Sequence, residues 1–190
     1  MGRSSAEQAS RNRIRILESA SRLFRARGVE AVAVAEVMAE AGLTVGGFYR
    51  HFASKEELVR EACALSFAQA AAFWRGAAGG AEDPQEDRIL TILRHYFRPR
   101  PGDRACPLLA YAPHLSGEAE PPAREAYGAG AGALLAEFLA RTPEADPEAR
   151  REAQVIFAAM VGAQLLARAS GGADWAKELQ EAVAGAAARR

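Results

Sequence analysis

Lysine is almost missing from this chain. Lys55 and Lys177 are the whole supply against 22 arginines, and asparagine occurs once, at Asn12. That skew matches codon bias in a GC-rich genome, so most arginines carry no special message, whereas a lysine kept at position 55 stands out. Cysteine is reduced to Cys63 and Cys106, far apart and without metal-ligand spacing, which excludes a disulfide framework and a zinc site. The three histidines, His51, His95 and His114, are widely separated, and no triad or carboxylate pair accompanies them. Catalytic residues, a cofactor and a bound metal are therefore not expected. No apolar run approaches the ~18 residues of a membrane span. The opening Met-Gly-Arg-Ser-Ser-Ala lacks the apolar core of a secretory signal and carries Ala6 where myristoylation wants Ser or Thr. A cytoplasmic protein without a membrane partner is expected. Net charge is zero, so the chain as a whole has no polyanion-binding balance.

Charge is nevertheless unevenly placed. Residues 1–30 hold seven arginines against Glu7, Glu18 and Glu30, a net of +4, so the remainder sums to −4. A basic arm ahead of an acidic body fits a chain that meets phosphate at one end only. Convincing period-two alternation is also lacking, and the spacing predicts helix nearly throughout. Ile14, Leu17, Ser21 and Phe24 mark a first helix at about 6–27, closed by Gly28. Others are expected at about 35–41, 45–51, 54–75, 83–98, 106–116, 121–141, 147–169 and 174–188.

The densest signal lies between Ala41 and Leu58. Gly42-Leu43-Thr44 joins two short helices as a helix-turn-helix, with Thr44 as the natural N-cap of the second. Gly46 and Gly47 together cost roughly 2 kcal/mol of helix propensity relative to alanine. The return that fits is close backbone approach to something flat or charged, such as a DNA backbone. Ser54-Lys55-Glu56-Glu57 reads as a capping box. Lys55, in the first turn, opposes the helix macrodipole by a few tenths of a kcal/mol, a sign that a nearby phosphate would reverse.

Arg13-Ile14-Arg15-Ile16-Leu17, Leu23-Phe24 with Gly28, Val37-Met38-Ala39-Glu40-Ala41-Gly42-Leu43-Thr44, Gly46-Gly47-Phe48-Tyr49-Arg50-His51-Phe52 and Ser54-Lys55-Glu56-Glu57-Leu58 together resemble the tetracycline-repressor (TetR) family of bacterial regulators over about residues 10–60. The resemblance implies an all-α fold of about nine helices, with a helix-turn-helix DNA-binding domain over 1–54 and an effector-binding and dimerisation domain over 55–190. It implies a homodimer that binds a double-stranded operator, most simply a repressor released by a small molecule. Carried over by position, Thr44, Val45 and Gly46 face base edges or the adjacent backbone, and Gly47 permits close approach. Tyr49, Arg50, His51 and Lys55 meet phosphate, with Arg13 joining the DNA-binding set, while Phe48 and Phe52 anchor the helix. Two departures stand out. Ala33-Val34-Ala35 replaces the usual Ser or Thr cap of the second helix, forfeiting about 1 kcal/mol. Val45 replaces a frequent lysine, leaving an apolar edge able to read a thymine methyl.

Beyond residue 60 the expectations are less pointed. Phe67, Phe73, Trp74, Tyr96, Tyr111, His114, Tyr127, Phe138 and Gln164 are the candidate effector-lining residues, suited to an apolar or aromatic molecule. The helices at 147–169 and 174–188 are apolar on most sides, which predicts pairing with a second copy through Phe157, Met160, Val161, Leu165, Trp175, Leu179 and Val183. Cys106, before Pro107 at a helix start, is a candidate thiol sensor of oxidants or electrophiles. The remote rival is a small-molecule-binding helical protein with no DNA role. Gly128 to Ala133 formally matches G-x-G-x-x-A, but no strand precedes it. Close helix packing or a local helix break explains those glycines better.

Overall fold

A computed structural model of the chain describes residues 2–79, 88–98, 105–116, 121–140, 142 and 145–189. Among the described residues there are eight α-helices and one 3-10 helix and no strand. In chain order they are α1 (Gly2–Arg27), α2 (Val34–Glu40), the 3-10 helix (Val45–Arg50), α3 (Lys55–Gly79), α4 (Arg88–Phe97), α5 (Pro107–Leu115), α6 (Pro121–Leu139), α7 (Pro147–Ala169) and α8 (Asp174–Ala188). The helix predicted over 45–51 forms as 3-10 geometry, α1 begins four residues earlier than expected, and α3 runs four residues longer. The expected stretch 83–87 and residue 141 lie outside the described residues.

The chain divides into two compact units, Met1–Gln69 with Arg100–Ala131, and Ala70–Pro99 with Gly132–Arg190. In the first, α1 buries Ile16, Ala20 and Phe24 at helical spacing against Val37 and Met38 of α2, the two phenylalanines Phe48 and Phe52, and Leu58 and Ala62 of α3. Burying each such large side chain contributes about 1.5–3 kcal/mol. Phe24 meets Tyr111 of α5 edge-on at 6.3 Å. The Tyr111 hydroxyl joins a buried chain in which Ser66 Oγ lies 3.0 Å from it and 2.8 Å from Ser21 Oγ. Ser66 also donates to the Ala62 carbonyl, so three helices share one satisfied polar contact.

The second unit centres on aromatics. Trp74 lies 6.3 Å from Phe138 and 6.4 Å from Phe157, and Phe138 and Phe157 meet at 5.4 Å. Asp146 caps α7 by accepting from the amides of Glu148 and Ala149, with Pro147 at the first helical position. Gly171 and Gly172, at φ +65° and +78°, make the left-handed turn into α8. Two expectations are corrected here. Met160 is 0% exposed and Val183 is buried inside this unit, so neither offers surface to a second copy. Leu165, Trp175 and Leu179 are exposed, as are Val155 and Leu166, while Phe157 and Val161 are half-buried.

Candidate nucleic-acid interface

The helix-turn-helix is built by local chemistry. Ala33 has no side-chain oxygen to cap α2, yet the Glu36 carboxylate accepts from the Ala33 amide at 2.8 Å, the half of a capping box that needs no serine. That amide and the Arg27 guanidinium hold the Glu36 carboxyl below the usual range. So part of the cap that the sequence gives up returns from three residues downstream. At the far end Gly42 takes φ +68°, and the Leu43 amide closes onto the Met38 carbonyl at 2.9 Å. Thr44 then sits extended ahead of the 3-10 helix, whose first bond runs from the Gly47 amide to the Thr44 carbonyl at 3.1 Å.

Six residues can bury only one narrow stripe. Phe48 is that stripe, stacked on Phe52 at 5.8 Å, both out of solvent. The opposite side turns outward: Val45 is 55% and Tyr49 78% exposed, with Thr44, Gly46 and Arg50 exposed beside them. An apolar valine and a tyrosine held outward on a rigid, anchored element form a surface shaped for contact. Neither glycine of this helix has positive φ. A Cβ at Gly46 would meet nothing within 4 Å, and one at Gly47 would meet only Met38 Cε at 3.8 Å. No contact among the described residues requires glycine at either position.

Cations divide into held and free. Arg13 pairs with Glu61 at 2.8 Å and donates from Nε to the His51 carbonyl at 3.3 Å, so it ties α1 to α3 and to the end of the 3-10 helix. Lys55 Nζ donates to the Val29 carbonyl at 3.1 Å, which uses one of its three protons. Arg22 pairs with Glu40 and Arg27 with Glu36. Among the described residues, Arg50 and Arg15 make no hydrogen bond or ion pair. Arg15 falls within the motif that carries the resemblance but was assigned no DNA-binding role from the sequence. Its guanidinium lies against the turn, where a Cβ on Gly42 would come within 2.8 Å of Nη2. Glu61 was likewise unmarked, because a partner 48 residues from Arg13 has no local signature.

The remaining candidates separate between the two units. Phe67, Tyr111, His114 and Tyr127 belong to the first, where Phe67 meets Tyr127 at 5.3 Å, Tyr127 donates to the Leu108 carbonyl and His114 pairs with Glu30. Phe73, Trp74, Tyr96, Phe138 and Gln164 belong to the second, where Phe73 lies against His95 and Gln164 accepts from Gln180. Cys106 is half-buried at the N-cap of α5 with an extended backbone. No group of three or more His, Cys, Asp or Glu able to hold a metal occurs among the described residues. No described helix is long and apolar enough to cross a membrane.

A buried-phenylalanine anchor, a glycine-closed turn and an outward helix with free cations define a helix-turn-helix protein. Residues 16–62 match the family model for bacterial regulatory proteins of the tetR family. The chain is 43% identical over 49 residues to YerO, an uncharacterized HTH-type transcriptional regulator of Bacillus subtilis, a match covering 26% of this chain and 17% of that protein. It is 43% identical over 56 residues to KstR2, an HTH-type transcriptional repressor of Mycobacterium tuberculosis, covering 30% of this chain and 28% of that one. The chain thus matches less than a third of the length of either curated relative. A crystal structure of a TetR transcriptional regulator from Chloroflexus aurantiacus aligns over 94% of this chain and 95% of that chain, at TM-score 0.70 and 29% identity. Residues 16–62 thus carry a tetR-family DNA-binding region, and the chain shares the fold of a TetR regulator.

Proposed function

We propose that this protein is a sequence-specific transcription regulator that represses its target by holding a palindromic operator as a homodimer, and that a small molecule releases it. The observation that carries the reading is the outward side of the 3-10 helix. There Thr44, Val45, Gly46, Tyr49 and Arg50 face solvent on a helix pinned by Phe48 and Phe52, with two glycines that no contact among the described residues demands. In a major groove Val45 would meet a thymine methyl and Arg50 a phosphate or a guanine edge. Gly47 would let the backbone approach. Tyr49, His51, Arg15 and the two spare protons of Lys55 would flank the sugar-phosphate chain.

Two such heads require two copies, joined through the exposed Leu165, Trp175 and Leu179 of α7 and α8. Half-sites then lie on one DNA face, about one helical turn or a small multiple apart. Residues 1–54 form the reading domain and 55–190 the effector and dimer domain. Its aromatic lining favours an apolar or aromatic effector, and a coupling of typically 1–3 kcal/mol suffices for release. The protein works in the cytoplasm. Fluorescence anisotropy with the gene's own upstream DNA against a scrambled duplex tests the reading. A specific preference and a dimer by sedimentation are expected; a monomer with no preference for any duplex overturns it.

A further inference from the structure

We propose that Arg13 is a positioning residue for base reading: held by Glu61, it fixes the C-terminal end of the 3-10 helix and does not grip a phosphate. The proposal rests on the DNA-binding reading above and assigns one residue of that same site a different task.

The geometry points to it through three contacts made by one guanidinium. Its two terminal nitrogens face the two Glu61 oxygens at 2.8 and 2.9 Å, a bidentate fork that lysine cannot reproduce. The third edge, Nε, donates to the His51 carbonyl at 3.3 Å. Its Cζ lies over the Phe52 ring, 4.5 Å from the centroid, and Phe52 stacks in turn on Phe48. The last carbonyls of so short a helix have no partner within it, and Arg13 satisfies one of them from outside. Rotation and axial slip of the reading helix are thereby tied to α1 through Arg13 and to α3 through Glu61.

The surroundings also argue against a phosphate at this place. Besides Glu61, a Glu57 oxygen stands 4.0 Å from the same guanidinium. An incoming phosphate would meet two carboxylates before reaching a cation already shared between them. Arg15 and Arg50, which have no acidic partner among the described residues, suit that task better.

The sign of one substitution separates the two roles. Glu61→Gln removes a negative charge from a DNA-facing domain and, for a phosphate-binding Arg13, tightens binding to every duplex. For a positioning Arg13 it weakens operator binding alone. We expect Glu61→Gln to lower the ratio of specific to non-specific affinity by about tenfold, the size of one lost charge-assisted hydrogen bond. The slope of log affinity against log salt should stay as in the wild type. Arg13→Lys, which keeps the charge and loses the fork, should not restore the ratio, and the double variant Arg13→Gln/Glu61→Gln should be no worse than either single change.

Anisotropy titrations across a potassium chloride series read all of these, with each isotherm normalised to the fraction of protein that binds stoichiometric DNA. Glu61→Gln keeps side-chain size and decides the matter even where Arg13→Gln unfolds. Operator binding by Glu61→Gln at or above the wild-type level overturns the proposal, as does a salt slope lowered by about 0.9 in Arg13→Gln. A wild type that shows no operator preference instead removes the reading on which the proposal rests.

Discussion

Alanine at Gly130 should destabilise this protein, while alanine at Gly128 or Gly132 should stabilise it. All three glycines lie within α6, where replacing glycine by alanine gains about 1 kcal/mol of helix propensity. At Gly128 and Gly132 an added Cβ meets nothing within 4 Å, so that gain stands alone. At Gly130 it would lie 2.3, 2.5 and 2.7 Å from Cγ, Cδ2 and Cβ of Phe67, against the ~3.5–4.0 Å that carbon atoms prefer. Those atoms are the root of the side chain and the near edge of its ring, so no rotation of a distant tip relieves them. Phe67 is itself buried and held edge-on by Tyr127 at 5.3 Å. Overpacking of this kind costs about 1–3 kcal/mol. The Gly130→Ala variant should therefore lose up to about 2 kcal/mol net, while its neighbours gain up to about 1 kcal/mol. Urea unfolding at one fixed protein concentration measures this, because subunit association shifts apparent stability. Phe67→Leu, costly alone, should be cheaper in the Gly130→Ala background. A Gly130→Ala midpoint at or above the wild type would refute the close-packing account.

Three further outcomes follow from the same geometry. Gly46→Ala should leave the free protein as stable as the wild type or up to about 1 kcal/mol more so, yet weaken operator binding at least tenfold; unchanged affinity in an anisotropy titration removes the close-approach role. Arg13 hydrogen-bonds the Glu61 carboxyl and holds it below its ordinary ionisation range. A depressed carboxylate adds stability above its unfolded value, about 4.3, and loses it as pH falls through the folded value, so Glu61→Gln should show a shallower loss of stability below about pH 4.3 than the wild type. Identical acid limbs in thermal melts would contradict that pairing. Burial pushes the Cys63 thiol up to about 12, so in a Cys106→Ser background iodoacetamide should modify Cys63 only after unfolding. Labelling of the native protein at neutral pH would show that α3 opens locally.

Much of the fold is legible in the residues because its rules are local. Thr44 before two glycines, Gly42 after an apolar stripe and Asp146-Pro147 before a long one each set a helix boundary through backbone chemistry confined to a few residues. The bounds of α7 and α8 coincide with the expected 147–169 and 174–188. Short range also explains the departures. The 3-10 form of the reading helix depends on how Phe48 and Phe52 seat in a core assembled from α1, α2 and α3, which no six-residue window encodes. Apolar periodicity reported which residues of α7 are hydrophobic but not which side α8 covers. Hence Met160, an expected surface residue, turned out buried, while Val155 and Leu166 emerged exposed. The capping box at Ser54 was half displaced for a similar reason. The Glu57 amide donates to Ser54 Oγ, but the Glu57 carboxylate reaches past Ser54 and accepts from the Ala53 amide. Arg13 joined the DNA-binding set by its position alone, and only the folded neighbourhood shows the carboxylates beside it.

The arginine-rich first helix has a kinetic consequence. Arg13, Arg22 and Arg27 each face a glutamate from beyond residue 30 at 3.1 Å or less, so most of the positive excess counted in the sequence is cancelled over distances shorter than a Debye length. Little field extends outward to draw a duplex in from afar. Encounters would then proceed near the unsteered diffusional rate and depend weakly on ionic strength, with residence on the right sequence decided afterwards by how slowly a fitted complex comes apart.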